Sequence, residues 1–501
     1  MDEQNGLQEL PKGWISIQVG EIVDKPSLTG IKLPQKNYLA EGQFPVIDQG
    51  QDFIGGYSND ESLKVDTDLP VIIFGDHTKA IKFVNFEFVA GADGIKVLKP
   101  FPCFLPKLFF YFLQSVEFPD KGYARHFQFL ESSLINLPPF NEQARIVAKI
   151  EELFTKLDAG IDALRAIQKQ IKRYRQAVLR DAVTGELTKA WREENQAELE
   201  PADALLKRIL TERRDRWEQE QLKKFAESGK TPKNDDWKKK YKEPAAPSTE
   251  NLSELPNNWI WASLDQCSYR ITDGTHQPPT FTSEGIPFVF VKHIVKGKIS
   301  FENTKFISAE TYETLNKRCP VEKGDILYSA VGSFGVAVPV HIDKKFSFQR
   351  HIAHIKPSDF VNEYYIVHFL NSQIGYRQAD SVAKGVAQRT VTLGDLTNFH
   401  FSLPPLAEQQ KIVEEVERLL SVADAIEQTV KQSLRQAERL RQSILKRAFE
   451  GKLVPQDSSD EPAEILLERI KKEREEKDKQ TKEQKVKARK PKTFTQNQSL
   501  F

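Results

Sequence analysis

The chain has 501 residues, 72 Lys and Arg against 71 Asp and Glu for a net charge of +1, and 32 Phe with 6 Trp, enough apolar material for several cores. It lacks any apolar run of 18 residues, which excludes a helical membrane span, and its polar start MDEQNGLQEL is unlike a targeting peptide. Three scattered cysteines (Cys103, Cys267, Cys319) argue against a disulfide scaffold or a zinc cluster and for a reducing, cytoplasmic setting.

Residues 1–136 read as a first globular domain. PVIIFG at 70–75 and IKFVNFEFVAG at 81–91 carry the branched and aromatic residues of strands, and FLPKLFFYFLQSV at 104–116 reads as a helix. Near the end of this domain lies a polar, glycine-containing segment, Lys121-Gly122-Tyr123-Ala124-Arg125-His126. A long helix is expected within 137–187. It follows Leu137-Pro138-Pro139, which cannot sit inside a helix, takes Asn141 as a cap and stops at Gly185. Apolar residues recur there in 4-3 alternation, Ile146, Ile150, Leu153, Leu157, Leu164 and Ile171 among them, which predicts a coiled-coil seam. About 42 residues at 1.5 Å each span roughly 60 Å.

Residues 188–254 form a charged connector with a short amphipathic helix, PADALLKRI at 201–209, followed by a Lys-, Glu- and Pro-rich stretch that reads as mobile. The second domain, 255–402, opens on LPNNW, an echo of LPKGW at 10–14. IPFVFVKHI at 286–294 and GDILYSAVGSFGVAVPV at 324–340 read as strands and EYYIVHFLNSQ as a helix, so this domain too is mixed α+β. Its late polar segment is Lys384-Gly385-Val386-Ala387-Gln388-Arg389, 263 residues after the first.

Residues 403–453 then repeat 137–187 without a gap, 19 of the 51 pairs being identical. The second seam is expected at Ile412, Val416, Leu419, Ile426, Val430 and Leu440, with Gly451 as the stop. PAEILLERI at 462–470 echoes PADALLKRI as a short helix, and the rest of 454–501 is a basic tail, its residues 471–492 expected to be frayed helix or disorder. Two copies are too few for a solenoid. The order domain, helix, domain, helix instead describes a two-fold object built from one chain. An apolar stripe this long needs a partner, and the other copy is at hand. Residues 165–180 carry six basic residues and no acid, whereas 408–427 carry six acids against two bases, so antiparallel pairing is expected, with the two domains at opposite ends of a rod.

No catalytic set stands out. There is no GxxxxGKS phosphate loop, His351 and His354 are wrongly spaced for a metal site in a strand, and Asp76-His77-Thr78 has no nucleophile in a suitable turn. Amino methyltransferases commonly carry Asp, Asn or Ser before Pro-Pro-aromatic, but Leu137 and Leu403 stand there instead. What remains is Lys121, Tyr123, Arg125, His126, Lys384, Gln388 and Arg389. Arg and Lys reach phosphates or guanine edges and Gln reads adenine, which makes these residues candidate DNA contacts; the plain alternative is a glycine turn with solvated charges.

Two dissimilar domains, two long helices opening with LPPxxEQ (Leu137 to Gln143, Leu403 to Gln409) and the GDIL of 324–327 together resemble the specificity subunit of type I restriction-modification enzymes. The resemblance runs through essentially the whole chain. It implies two target-recognition domains, each binding one half of a split sequence in double-stranded DNA, separated by an antiparallel coiled-coil pair that sets the spacing. It implies a non-catalytic chain that binds no cofactor. Two methyltransferase subunits carrying S-adenosylmethionine would dock on the helices, and restriction subunits would add ATP- and Mg-dependent translocation. The rival readings are a self-sufficient methyltransferase or nuclease, disfavoured by the missing motifs, and a structural coiled-coil adaptor without DNA readout.

Overall fold

The computed structural model describes residues 10–91, 94–118, 125–250, 252–295, 297–317, 320–386 and 388–488. The chain divides into two compact units, Met1–Arg165 with Lys431–Phe501, and Ala166–Val430. Each unit holds one globular domain and a segment of both long helices, Phe140–Thr184 and Leu406–Phe449. The first of these helices starts one residue before Asn141, and the carbonyl of Pro139 accepts the amide of Gln143, so Asn141 lies within the first turn and is not its cap.

The domain of unit one contains β1 (Ile15–Gln18), β2 (Val23–Asp24), β3 (Phe44–Ile47), β4 (Gly56–Ser58), β5 (Val71–Gly75), β6 (Ile81–Val84), β7 (Val89–Ala90), β8 (Ile95–Pro100) and β9 (Leu134–Leu137), with helices α1 (Pro106–Ser115) and α2 (Phe127–Ser132). That of unit two contains β10 (Ile260–Ser263), β11 (Ser268–Asp273), β12 (Ile286–Val289), β13 (Ile294–Val295), β14 (Lys298–Ile299), β15 (Lys305–Ile307), β16 (Ile326–Ser329), β17 (Ala337–Pro339), β18 (Ser347–Phe348), β19 (Ile352–Pro357) and β20 (His400–Leu403), with α3 (Ala309–Asn316), α4 (Glu363–Asn371), α5 (Gln373–Val382) and α6 (Leu393–Thr397). The sequences differ, but the topology is the same. A four-stranded antiparallel sheet runs β2-β8-β5-β6 in one and β11-β19-β16-β17 in the other. A three-stranded sheet runs β4-β3-β7 and β15-β12-β18, each pairing its middle strand antiparallel on one side and parallel on the other. A two-stranded ribbon, β1-β9 or β10-β20, ties the start of each domain to the strand that leads into its long helix.

Central strands β5 and β16 are buried along their whole length, as the unbroken apolar runs VIIFG and ILYS demand. In unit one Phe74, Phe104, Phe109 and Leu113 pack with Ile146, Ile150 and Phe154 of the first long helix and Ile444, Leu445 and Ala448 of the second. Each such fully buried side chain is worth about 1.5–3 kcal/mol of transfer free energy. Unit two mirrors this with Tyr365, Phe369 and Phe401 against Val178, Ala182, Ile412 and Val416.

Within each unit the helix segments run antiparallel, and the repeat reappears as matched contacts. Arg175 binds Asp424 at 2.5 Å in unit two, and the equivalent Arg441 binds Asp158 in unit one. Ser402 Oγ donates to the Val183 carbonyl at 2.8 Å, and Asn136 Nδ2 donates to the Phe449 carbonyl at 3.2 Å. The Ala202 amide donates to the Asn258 carbonyl, and the Ala463 amide to the Gly13 carbonyl.

The expected seam needs a correction. Ile146, Ile150, Ile171, Ile412, Val416 and Val430 are buried and Leu153, Leu157, Leu164 and Leu419 half-buried, but Ile426 and Leu440 are 45% and 51% exposed. At the exposed places the next residue takes over: Glu427 and Arg441, one step on from Ile426 and Leu440, turn partly inward, as does Arg175 beside the outward-facing Tyr174. Hydrophobicity alone misplaces the stripe because inward positions are taken by polar pairs. Arg175 also reaches Glu427 at 3.0 Å, and Arg441 lies 4.2 Å over the Phe154 ring, burying its stem while its charge meets Asp158.

The connector is not a loose chain either. It forms a first arm helix, Ala202–Glu227, and a short 3-10 turn, Asp235–Lys240. Trp217 stacks on Trp237 at 5.9 Å and meets Tyr241 at 5.3 Å, so the scattered aromatics form a small core of their own. Arg213 pairs with Asp265 at 2.7 Å, pinning the arm to the second domain. The short helix expected at 462–470 runs on into the basic tail as a second arm helix, Ala463–Ala488, whose Arg474 sits at the position equivalent to Arg213 and binds Asp24 at 2.5 Å; residues 489–501 lie outside the described residues. In both arms a charged helix is ordered by a few apolar residues, Leu205 and Ile209 or Leu467 and Ile470, on its domain-facing side.

Candidate nucleic-acid interface

The two residues that close each LPPxxEQ motif prove to be a buried lock. Trp14 Nε1 donates to Glu142 Oε2 at 3.0 Å, and Trp259 Nε1 donates to Glu408 Oε2 at 2.8 Å. Gln143 Nε2 donates to the Pro138 carbonyl and Gln409 Nε2 to the Pro404 carbonyl, while their Oε1 atoms accept the amides of Leu105 and Asn362 just before α1 and α4. The motif therefore clamps the LPxxW start of a domain, its inner helix and the long helix together. The locks are unequal. Glu408 Oε1 takes Thr188 Oγ1 at 2.8 Å and Arg192 Nη1 at 2.7 Å, whereas Glu142 Oε1 is buried without a hydrogen-bond partner among the described residues. Burial pushes the Glu142 carboxyl above its usual range, against the pull of Trp14 and Arg145.

With the domains so fixed, one end of each four-stranded sheet gathers the loops. In unit two the residue after β16, Ala330, accepts the Val391 amide and donates its own amide to the His351 carbonyl. Gly332 donates to the Arg389 carbonyl, Thr275 to Phe348 and Arg350 to Thr275. Lys384 and Thr390 exchange two backbone hydrogen bonds, 3.0 and 2.8 Å, closing a narrow ribbon. Four segments thus meet at one edge and expose His276, Gln277, Ser333, Arg350, Lys384, Val386 and Gln388. Gly274 permits this lacing, since a Cβ there would stand 2.2 Å from the Phe348 carbonyl oxygen.

Unit one builds the same edge. Asp76 follows β5, donates its amide to the Gly94 carbonyl and accepts the His126 amide at 2.9 Å, while its Oδ1 takes the Phe127 amide. Thr78 Oγ1 donates to the Gln49 carbonyl, and Lys82 Nζ, almost wholly buried, donates to the Asp48 carbonyl at 2.9 Å. Gln51, Thr78 and Arg125 are exposed there.

Of the sequence candidates, Lys384 and Gln388 lie exposed on the edge of unit two and Arg125 on that of unit one; Lys121 and Tyr123 lie outside the described residues. His126 does not fit the expectation. It is fully buried and occupies the position that Val391 fills in unit two, so its ring packs the core, edge-on to Phe118, and cannot reach a groove. Arg389 is half-buried, tied to Asp380 Oδ1 at 2.6 Å and held 5.2 Å over Phe334, which makes it a brace for the ribbon. Sequence reading missed Gln51, Thr78, His276, Gln277, Ser333 and Arg350. Their signal was the neighbouring glycines (Gly50, Gly75, Gly274, Gly332), uninformative until the strands were aligned.

In unit two His276 and Gln277 also line a shallow cavity of about 380 Å³ with Thr314, Asn316 and Ser347. A groove of about 910 Å³ lies at the opposite end of β16, between the first arm and the Glu322–Asp325 turn, and carries Lys240, Lys242, Arg270 and Lys323. Asp325, the acid of GDIL, is buried there. Burial would raise its carboxyl, but His354 Nε2 at 2.7 Å and Lys356 at 3.0 Å hold it below the usual range, which makes it a structural tie between β16 and β19. Among the described residues no group of His, Cys, Asp or Glu is arranged to hold a metal ion, and no helix is long and apolar enough to cross a membrane.

The family model described as type I restriction modification DNA specificity domain matches residues 282–436, from the loop before β12 well into the second long helix. Along the chain, similarity extends to the specificity subunit of the type I restriction enzyme EcoBI from Escherichia coli, 31% identical over 353 residues, covering 69% of this chain and 65% of that relative. This chain belongs to the family of type I restriction-modification specificity subunits. The EcoDI specificity subunit, also from Escherichia coli, is 26% identical over 493 residues, 93% of this chain and 96% of its own length. A chain solved in work on complex assembly and conformational transition of the type I R-M system shares the fold, with a TM-score of 0.53 at 18% identity over 89% of this chain and 99% of its own. The shared fold thus accounts for the doubled domain and the doubled helix.

Proposed function

We propose that this chain reads a bipartite DNA sequence for a type I restriction-modification complex, one half-site per domain, and performs no chemistry itself. The observation that carries this reading is the repeated edge: two domains of one topology place laced, polar loops at the same end of the same sheet, with unrelated side chains in the two copies. One scaffold with two different reading edges suits a target of two different halves. The ribbon of unit two has the width that a major groove admits, and its lysine can hold a phosphate while its glutamine reads a base.

The partners follow from the helices. Ile167, Tyr174, Val422 and Ile426 are exposed in unit two and each precedes an inward-facing or partly buried position by one residue. In an antiparallel pair a step of one residue back turns both helices, by about 100°, to the same side, so these residues form an apolar stripe suited to another protein. We assign it to a methyltransferase subunit carrying S-adenosylmethionine, present twice because the repeat is double, with restriction subunits supplying the ATP- and Mg-dependent steps in the cytoplasm. The test is a methylome of the host with and without this chain. A split motif whose adenines lose methylation on deletion supports the reading; methylation that persists unchanged refutes it, as does a chain that binds no DNA in any assembly purified from the host.

A further inference from the structure

The ribbon of unit two ends in a feature that the reading above does not use. Val386 is fully exposed, 103% of its reference area, on the same turn as Gln388. A free-standing valine costs solubility and contributes nothing to the core, yet here it is presented firmly. Its base is closed by the paired hydrogen bonds of Lys384 and Thr390, joined to the β16 loop through Gly332 and Ala330, and braced by Arg389 against Asp380 and Phe334. Gly385 before it has φ +106°, and a Cβ there would stand 2.7 Å from the Gln388 carbonyl oxygen, so the tight turn that lifts Val386 excludes other side chains.

A glutamine amide matches the donor and acceptor on the major-groove edge of adenine, and an apolar group matches the C5-methyl of thymine. Both groups stand on one narrow ribbon, two residues apart. We infer that this ribbon reads an A·T base pair in the second half-site, Gln388 taking the adenine edge and Val386 the thymine methyl, with Lys384 on a flanking phosphate. The inference rests on the proposed DNA-reading role and specifies what one loop of it recognises.

Thymine-to-uracil replacement tests this directly, because it removes the one methyl group and leaves base pairing intact. Full-length chain, in the assembly in which it is purified from the host, is titrated with its mapped target and with duplexes carrying single uracil replacements. One replacement in the second half-site is expected to weaken wild-type binding by about threefold or more, in line with one apolar base contact. With Val386→Ala that difference should vanish, while Gln388→Ala should lose about tenfold on the native target and accept other base pairs at the same position. Both side chains are exposed, so neither change threatens folding, and Lys384→Gln should weaken all duplexes alike. If wild-type protein discriminates its target but no uracil replacement matters, or if both variants keep the native preference, the assignment of this ribbon is overturned and the DNA-reading role stands. If wild-type protein does not discriminate DNA at all, the role itself fails.

Discussion

Replacing Glu408 by Gln removes the centre of the lock in unit two. The Glu408 carboxylate is fully buried and accepts three donors, Trp259, Thr188 and Arg192, at 2.7–2.8 Å. An amide oxygen can keep Trp259, but the NH₂ then faces the hydroxyl and guanidinium, and Arg192, 11% exposed, loses its counter-charge. Breaking one side of a buried ion pair costs about 3–5 kcal/mol. Arg192 retains the Gly185 carbonyl at 2.9 Å and the Trp259 face, which places the expected loss near the lower end. Glu142→Gln is the internal control. The Glu142 Oε1 has no donor among the described residues, so the amide keeps Trp14 and removes a desolvated charge, for a change within about 1 kcal/mol of zero. Urea unfolding followed by tryptophan fluorescence reads both. A loss of 3 kcal/mol lowers a midpoint by about 1 M or more at m values of about 1–3 kcal/mol per M. The pH dependence has a definite sign. Because burial raises the folded-state Glu142 carboxyl, its contribution to unit one is greatest below the ordinary glutamate range and is lost as pH rises through the raised value, and Glu142→Gln should abolish that slope. Equal damage from the two substitutions, or a silent Glu408→Gln, would refute the lock as drawn.

Three further outcomes are expected. Gly451→Ala, at φ +68° with Pro11 Cγ 2.3 Å from a new Cβ, should cost at least about 1–2 kcal/mol, whereas Gly160→Ala, in open space within the long helix, should stabilise by about 0.5–1 kcal/mol; thermal melts decide. Ile426→Ser and Leu440→Ser should leave the melting temperature nearly unchanged, since both are exposed, yet reduce recovery of partner subunits in affinity purification; a large loss of stability would restore the unshifted seam. A half-chain ending near residue 230 retains one domain, one long helix and the first arm. Two copies should pair antiparallel, with Asp158 and Arg175 of opposite copies replacing the natural Asp158–Arg441 and Arg175–Asp424 pairs, and sedimentation that finds only folded monomer at high concentration would contradict interchangeable helices.

The amino-acid sequence by itself determined the doubled order of domain and helix, the antiparallel sense of the helices and the strands β5, β12 and β16. Those rest on local, repeated signals: a gapless internal copy, charge asymmetry along a helix, and apolar runs that only a buried strand accommodates. The membership of Glu142 and Glu408 in a motif was legible, but their role was not, because their tryptophans lie 128 and 149 residues away. Tertiary structure alone decided that the two dissimilar domains share one topology, since strand order depends on pairings between distant segments. It also decided that Ile426 and Leu440 leave the seam, because Arg175 and Arg441 are drawn inward by carboxylates on the facing helix rather than by hydrophobicity. His126 and Arg125 look alike as polar neighbours in a glycine-bearing loop, and only the hydrogen bond from the His126 amide to the Asp76 carbonyl sends one into the core and the other to the surface. The loop-laced edge of unit two is the extreme case: its residues come from four separate stretches, and hydrogen bonds between loop backbones, which no side-chain pattern encodes, bring them together.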